Sequence, residues 1–337
     1  MINIYSFTKE ELEEYFISIN EKKYRASQLY DFLYNKKINA ISEVTTFSDT
    51  LKQKIEQDIK IGLIKLIEEK KEKDVCKYLF ELSDKNKIET VIMKHNYGNS
   101  LCISTQVGCN MGCVFCESGR LKKIRNLETF EMVEQVVAVE KRLNERISHI
   151  VIMGIGEPFD NYDNVMKFIR IINDPKGLNI GARHITVSTC GIIPKIKQFV
   201  DENLQVNLAI SLHASNNKLR DKLMPINKVY NLDSLMETVK DYINKTNRRV
   251  TFEYVMLEGI NDGVENAKEL VGLLKGINCY VNLIPYNETN NKIYNKSNKV
   301  TILQFYDILK KNNINVTVRR EFGSNIDAAC GQLRSKY

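Results

Sequence analysis

The chain has 337 residues, of which 43% are hydrophobic and 27% charged, a balance typical of a folded globular protein rather than a disordered or fibrous one. Its longest apolar runs, around 149–155 and 206–212, are far shorter than the roughly 18 residues that a membrane span needs. The acidic start, with no basic segment followed by an apolar core, argues against a secretion signal and predicts a cytoplasmic protein. The net charge of +7 favours an anionic partner such as RNA.

The amino-terminal region reads as short amphipathic helices, with Leu12 and Phe16 at helical spacing. After it the pattern changes to the alternation of β-strands, in which Tyr78 and Phe80 share one face. The predicted division is a helical domain that binds RNA over 1–60, a β-rich connector over 61–100, and a barrel over 101–337.

Strand and helix patterns alternate through the rest of the chain. The predicted strands are 101–105, 149–153, 184–188, 205–212, 249–257 and 279–285. Six βα units in succession predict a parallel sheet in an α/β protein, either barrel-like or open. The unusual residues follow the carboxyl ends of these strands, where the active site of a βα barrel lies, so we expect a partial (β/α)6 barrel.

Three of the eight cysteines lie in one short loop, at Cys109, Cys113 and Cys116. Thiolates at this spacing can hold three irons of a cubane cluster and leave the fourth iron open to a small ligand. A structural zinc site is normally closed by four ligands, and no second Cys/His pair follows. A 4Fe-4S cluster is therefore the favoured interpretation, with Phe115 shielding the sulfurs.

This spacing, with an aromatic residue before the third cysteine and at the end of the first barrel strand, resembles the radical S-adenosylmethionine (SAM) superfamily. Gly154-Ile-Gly156-Glu157-Pro158 resembles the segment of that superfamily that meets the methionine amino group of SAM. Segments 102–109, 181–189, 211–213, 223–227 and 325–333 resemble the RlmN/Cfr family of RNA adenine methyltransferases, almost from end to end.

The resemblance implies a fold, a reaction and its cofactors. The fold is a partial radical SAM barrel with a small helical amino-terminal domain and a short β extension. The cofactors are a 4Fe-4S cluster and two SAM molecules per turnover. The first SAM methylates Cys330; the 5′-deoxyadenosyl radical from the second removes a hydrogen from that methyl, and the carbon radical adds to adenine. Cys102 then attacks the Cys330 sulfur, forming a disulfide and releasing the RNA, and Glu89 matches the proposed proton acceptor.

The resemblance also implies ligands and partners. The residues expected to hold SAM are Gly156, Glu157, Ser188, Ser211, Leu212, His213 and Asn287. Of these, His213 is expected to contact the cofactor rather than act as an acid or base. The implied partners are 23S rRNA, tRNA and an electron donor such as flavodoxin or ferredoxin, and the protein is expected to be a monomer.

Several alternatives stay open at this stage. Pro158 and 318–320 favour RlmN-like methylation of adenine C2 over Cfr-like methylation of C8, which confers antibiotic resistance. A non-catalytic RNA-binding module stapled by a metal would need only the cysteine loop, and radical chemistry on a small molecule would leave Cys102 and Cys330 idle. Glu117 and Lys122 depart from the family pattern beside the cluster loop, at a place that affects how the substrate reaches the cluster.

The remaining cysteines and basic clusters have simpler interpretations. Cys76, Cys190 and Cys279 read as ordinary small apolar residues. The basic clusters at 122–125 and 319–320 flank the two reactive cysteine segments and are candidates for phosphate contacts, whereas Arg248-Arg249 reads as a solvated face.

Overall fold

The computed structural model describes residues 1–62, 64–287 and 293–319, together with 326, 328 and 332. The helices are α1 (Lys9–Ser18), α2 (Tyr24–Tyr30), α3 (Asp49–Asp58), α4 (Thr129–Leu143), α5 (Tyr162–Asn173), α6 (Ile193–Asp201), α7 (Asn217–Leu223), α8 (Leu232–Thr246), α9 (Val264–Leu274) and α10 (Lys299–Lys311). The strands are β1 (Ile2–Asn3), β2 (Ile59–Lys60), β3 (Lys65–Glu72), β4 (Val75–Glu81), β5 (Lys87–His95), β6 (Gly98–Cys102), β7 (Gln106–Val107), β8 (Arg125–Asn126), β9 (Ile147–Ile152), β10 (Ile185–Thr189), β11 (Asn207–Ser211), β12 (Val250–Met256), β13 (Cys279–Pro285) and β14 (Asn315–Val318).

The amino-terminal region is helical, as its periodicity predicts. Helix α1 begins at a capping box, in which the Thr8 hydroxyl accepts from the Glu11 backbone N–H and the Glu11 carboxylate accepts from the Thr8 N–H. Leu12 and Phe16 are fully buried on its inner face. These helices share one hydrophobic core with the sheet, so the region packs firmly on the rest of the molecule.

The main sheet runs in the order β14-β13-β12-β11-β10-β9-β6-β5-β4-β3 through the described part of the chain. Strands β6 and β9 to β14 are parallel, and β3 to β5 continue the same sheet antiparallel beside β6. The helices that link the parallel strands bury one face against the sheet, as the strongly amphipathic α5 does with Val165, Phe168 and Ile172.

The first parallel strand ends earlier than the sequence predicts, at Cys102 rather than at residue 105. The buried side chain of Gln135 accepts from the Ser104 N–H and donates to the Ser104 carbonyl, replacing the ladder bonds of a strand. The Ser104 hydroxyl donates to the Glu89 carbonyl at 2.6 Å. A side chain from α4 therefore turns the chain out of the sheet just before the cysteine loop.

A seventh parallel strand, β14, was not predicted. It has only four residues and pairs with β13 from Tyr280↔Asn315 to Leu283↔Val318. Its role in the fold is to bring Arg319 to the same end of the sheet as the cysteine loop. No helix in the described part of the chain is long and apolar enough to cross a membrane.

Candidate active site

A cleft opens at the carboxyl ends of the parallel strands, where the active site of a βα barrel lies. Every parallel strand, or the loop that follows it, contributes to its wall. The lining residues are Cys109, Met111, Cys113, Phe115, Cys116, Ser118, Met153, Gly154, Gly156, Glu157, Ser188, Cys190, Ser211, His213, Met224, Glu253, Val255, Ile284, Tyr286 and Arg319. The three loop cysteines and five of the seven predicted SAM-binding residues thus face one space.

The cysteine loop is shaped by backbone contacts. The Cys109 N–H donates to the Leu121 carbonyl at 2.9 Å, which closes the loop at its base. Gly108 has φ +75°, and a Cβ there would lie 2.3 Å from the Lys122 carbonyl oxygen, so a side chain cannot fit. Lys122, which departs from the family pattern, meets the loop through its backbone rather than its side chain at this point.

The chemistry of the loop suits a cluster. Burial raises the pKa of the Cys109 thiol to about 12 and that of Cys113 well above its ordinary value, and the neighbouring thiols add to both effects. Thiolates in this place therefore need a positive centre, which iron supplies. No group of three or more His, Cys, Asp or Glu side chains in the described part is arranged to hold a single metal ion. A cubane differs because each thiolate binds its own iron.

Glu157 is held in place by backbone donors. Its Oε1 accepts from the Phe159 N–H at 3.0 Å and its Oε2 from the Cys190 N–H at 2.8 Å. Burial raises the pKa of this carboxyl, and the two N–H donors offset part of that shift. Gly156 has φ +114°, and a Cβ there would meet Gln106 and Thr105 at 2.7 Å. The Gly156-Glu157 turn is consequently fixed against the start of the cysteine loop.

His213 faces the cleft as a neutral ring. Its Nδ1 accepts from the Val255 N–H at 3.0 Å, which leaves the proton on Nε2, and burial lowers the pKa of the imidazole to about 3. The ring packs edge-on against Phe115, with centroids 4.8 Å apart. His213 is therefore a hydrogen-bond donor over the working pH range, in keeping with its predicted role as a cofactor contact.

Ser188 and Ser211 lie side by side at the ends of β10 and β11, with their hydroxyl oxygens 3.4 Å apart. The structure does not place Leu212 in the cleft: its side chain is fully buried in the main core, and only its backbone is close by. Asn287 is buried and directly follows Tyr286, which lines the cleft. The side chain of Leu212 is therefore not available to a molecule bound in the cleft.

One charged residue of the cleft, Glu253, was missed from the sequence, whereas Arg319, which also lines the cleft, was predicted as a phosphate contact. Glu253 of β12 is buried, and its Oε1 accepts from Asn282 Nδ2 at 2.9 Å, while Oε2 has no hydrogen-bond partner among the described residues. Burial raises the pKa of Glu253, which the positive charge of Arg319 partly offsets. Inward alternation within β12 is the signal that could have identified Glu253, but it does not distinguish a site residue from a buried ion pair.

A second missed residue, Arg220, is completely buried behind the cleft. Its guanidinium donates to the carbonyls of Cys190 at 2.7 Å, Ser211 at 3.2 Å and Leu212 at 3.3 Å, and to Asn227 Oδ1 at 3.0 Å. It therefore ties the ends of β10 and β11 together under the SAM-facing residues. Cys190, expected to be an ordinary apolar residue, links this network to Glu157 through its backbone.

Cys102 and Glu89 are not among the residues that line the cleft, but Cys102 packs in one buried group with Met153, which is. Val91 pairs with Cys102 in the sheet, and Glu89 is two residues from Val91, so the side chains of Glu89 and Cys102 share one face. Glu89 is buried and its Oε1 lies 2.9 Å from Lys77 Nζ. Ala328 packs in the same buried group as Cys102.

The predicted partner of Cys102, Cys330, lies outside the described residues, as does Arg320. The basic cluster at 122–125 is mostly engaged inside the protein: Lys123 binds Asp160 at 2.6 Å, and Arg125 binds both Asp84 and Glu131. Both charges are already paired with carboxylates, which argues against the predicted phosphate contacts of Lys123 and Arg125.

Comparison with known proteins defines the class of this fold and site. Residues 103–271 match the family model of the radical SAM superfamily, and residues 2–61 match that of the ribosomal RNA large subunit methyltransferase N-terminal domain. A solved radical SAM methyltransferase from Sphaerobacter thermophilus superposes with a TM-score of 0.95 at 40% identity, covering 99% of each chain. The protein is a radical SAM enzyme, and its cofactors are a 4Fe-4S cluster and SAM.

Its relatives give the family. A probable dual-specificity RNA methyltransferase RlmN from Spiroplasma citri is 54% identical over 100% of this chain and 98% of its own. The protein of the same description from Enterococcus faecalis is 52% identical, over 99% of this chain and 96% of its own. The chain belongs to the RlmN family of RNA methyltransferases, which confirms the predicted family and α/β fold class and removes the non-catalytic metal-stapled module as an alternative.

Proposed function

We propose that this enzyme methylates C2 of adenine in the peptidyl-transferase centre of 23S rRNA and next to the anticodon of tRNA. The relatives named above are described as probable dual-specificity RNA methyltransferases, and this dual specificity is the basis for proposing two RNA substrates. The observation that carries the proposal is that three features meet at one end of the sheet. The cysteine loop and the Gly156-Glu157 turn line one cleft, and Cys102 packs in one buried group with Met153, which also lines it.

The roles of the individual residues follow from this geometry. Cys109, Cys113 and Cys116 hold the cluster. The backbone at Gly156 and Leu212 and the side chains of Glu157, Ser188, Ser211, His213 and Asn287 hold SAM. When bound, these cofactors supply the radical that removes a hydrogen atom, because the side chains alone do not generate one.

A radical route is needed because C2 of adenine is an electron-poor carbon, so a methyl cation equivalent does not add to it. Cys330 carries the methyl group to the base, and its carbon forms the new bond to C2. The radical adduct gives up one electron, which the bound cluster would accept, and its C2 proton, which Glu89, beside Cys102, accepts. The Cys102 thiolate then attacks the Cys330 sulfur: the sulfur–carbon bond breaks, its electron pair stays with the carbon, which takes a proton from water, and a disulfide forms. The RNA keeps the carbon as a methyl group.

The target base must leave its stack to be reached. C2 lies in the plane of the purine, where neighbouring bases and the pairing partner exclude a cysteine side chain, so the enzyme acts on loops or partly unfolded RNA rather than on a regular duplex. Reduction comes from a flavodoxin or ferredoxin, and the enzyme works as a monomer in the cytoplasm, where both RNAs are found.

The test is a comparison of two cysteine variants. Cys102→Ala should still methylate Cys330 and attack the base but not release it, so the protein should accumulate with RNA covalently attached. Cys330→Ala should be inactive and free of RNA, because the methyl carrier is gone. Mass spectrometry of nuclease-treated protein measures the adduct directly.

Cys279→Ala is the matched control, since Cys279 is equally buried but lies at the opposite end of β13 from the cleft. It should turn over like the unchanged enzyme. Normal turnover by Cys102→Ala, or an inactive Cys102→Ala without any covalent RNA, would show that the resolving role is wrong.

A further inference from the structure

A ladder of four aromatic rings lies at the amino ends of the parallel strands, which is the end of the sheet opposite the cleft. The His95 and Tyr97 rings stack with centroids 4.6 Å apart and a 9° tilt, Tyr97 meets His149 edge-on at 5.1 Å, and His149 stacks on His184 at 4.4 Å. The chain has only four histidines, and three are in this ladder. Tyr97 is 67% exposed, the most exposed aromatic ring in the described part of the chain. The ladder therefore presents a ring face to solvent.

Beside the ladder is a polar cavity with an unbalanced positive charge. Its described lining consists of Arg183, Arg248 and Arg249 with six threonine, asparagine and glutamine residues, and includes no carboxylate. None of the three guanidinium groups forms an ion pair with a described residue, unlike those of Arg125 and Arg170, which bind carboxylates.

The cavity arginines are held in position without being neutralised. Arg183 Nε donates to Gln205 at 3.0 Å, Arg248 Nη2 donates to Asn207 at 3.2 Å, and Arg249 lies over the Tyr280 ring. The Nε of Arg248 is buried and has no hydrogen-bond partner among the described residues. The buried Nε of Arg248, together with the exposed guanidinium groups of Arg183 and Arg249, forms a surface suited to an anion, and no described carboxylate occupies it.

The two features form one continuous surface. The ladder crosses the starts of β6, β9 and β10, and the cavity crosses the starts of β10, β11 and β12. They meet at consecutive residues, because His184 ends the ladder and Arg183 begins the cavity. Exposed rings that run into a groove of arginines are the combination by which proteins bind single-stranded nucleic acid: bases stack on the rings and phosphates enter the groove.

We propose that the surface formed by His95, Tyr97, His149, His184, Arg183, Arg248 and Arg249 binds an unpaired segment of RNA, at a distance from the base that is methylated. The proposal rests on the RNA substrate of the proposed function but not on its chemistry. The segment stacks at least one base on Tyr97 and places a backbone phosphate among the three arginines. The surface thus binds a large RNA at the end of the sheet opposite the cleft.

The experiment measures binding of a fluorescent octamer of uridine to the full-length protein, since this RNA has no adenine for the active site. Tyr97→Ala should weaken binding by roughly fivefold to a hundredfold, the effect of losing one base–aromatic stack, and Tyr97→Phe should keep it. Arg249→Gln should reduce the slope of log affinity against log salt by about 0.7, the value for one phosphate contact of a single strand.

Arg170→Gln is the charge control, because it also removes one positive charge but from a guanidinium already paired with Glu202. It should leave the slope unchanged. Photo-crosslinking of a 4-thiouridine octamer should label the peptide that contains Tyr97, which separates this surface from other RNA contacts.

Three results would overturn the proposal. The first is that Tyr97→Ala binds the octamer as well as the unchanged protein does. The second is that all crosslinks fall on other peptides. The third is that inorganic phosphate alone displaces the arginine-dependent binding and that substitution of Tyr97 does not change it. The last would indicate a small-anion site. A protein that binds the octamer here but methylates no RNA would contradict the proposed function and leave this surface standing.

Discussion

Glu253 has an unused acceptor in the middle of the cleft, since its buried Oε2 has no hydrogen-bond partner among the described residues. Leaving such an oxygen unpaired is costly, on the order of 1–3 kcal/mol. The hydroxyl and amino groups of SAM are suitable donors. Glu253 is therefore expected to bind SAM together with Ser188, Ser211 and His213, which line the same cleft.

Glu253→Gln should weaken SAM binding by about tenfold, since a charge-assisted hydrogen bond is worth about 1.5–3 kcal/mol and the amide recovers part of it. Equilibrium dialysis of the cluster-loaded protein with labelled SAM measures the change. Glu269→Gln is the control, because Glu269 binds Ser215 and Asn216 outside the cleft. Equal affinities for the unchanged protein and Glu253→Gln would mean that Glu253 serves only the fold.

At this scale the sequence predicts motif residues well and solitary ones poorly. The cysteine loop and the Gly156-Glu157 turn could be found because the chemistry requires adjacent residues in fixed order. Arg220 could not, because its function depends on three carbonyls at the ends of two strands, β10 and β11, that only the fold brings together. Leu212 was predicted from its neighbours Ser211 and His213, but strand alternation points its side chain away from the cleft.

The elements are joined by a few buried polar contacts, of which that between β1 and α4 is the clearest. Asn3 Nδ2 donates to Glu134 Oε1 at 2.6 Å, across 131 positions of sequence. Burial raises the pKa of Glu134 from 4.5 to about 8, so the folded protein holds this proton at neutral pH. The contact fastens the amino-terminal helical region to the barrel.

The raised pKa predicts how stability depends on pH. Between about pH 4.5 and pH 8 the unfolded chain has lost the Glu134 proton while the folded chain keeps it, so the stability contribution is full below pH 4.5 and is lost as pH rises through 8. The slope from this one group is up to about 1.4 kcal/mol per pH unit.

Glu134→Gln should remove that slope, so its unfolding free energy relative to the unchanged protein should rise steadily from pH 5 to pH 8. Urea unfolding at several pH values measures it. Glu265→Gln, on the exposed face of α9, should give a difference that does not vary in this way. A flat difference for Glu134→Gln as well would mean that Glu134 is ionised in the folded protein.

Element boundaries were predictable where one local rule decides them. Strand β13 spans the predicted residues 279–285, and helix α1 contains Leu12 and Phe16 at the predicted helical spacing. Strand β6 ends early because Gln135, distant in sequence, takes over the backbone of Ser104. Strand β14 is too short for its alternation to stand out, and it exists because β13 offers it an edge.

On the scale of the whole molecule, the two ends of the parallel strands have different tasks. The carboxyl ends line the cleft that we propose for the cluster and SAM, and the amino ends carry the ring ladder and the arginine cavity. A net charge of +7 attracts RNA without selecting a site, whereas these two surfaces are the places where we propose that RNA binds. The central claim is that a carbon passes from SAM to adenine C2 by way of Cys330.

That claim is tested most directly by the isotope content of the product made from SAM with a trideuterated methyl group. The methyl on Cys330 loses one deuterium to the radical and later gains one hydrogen from water, so the RNA should contain 2-methyladenosine with two deuterium atoms and one hydrogen in its methyl group. Mass spectrometry of the digested nucleosides, beside 2-methyl and 8-methyl standards, reads both the count and the position. A methyl with all three deuterium atoms, which direct polar transfer would give, or a product at C8 would contradict the account.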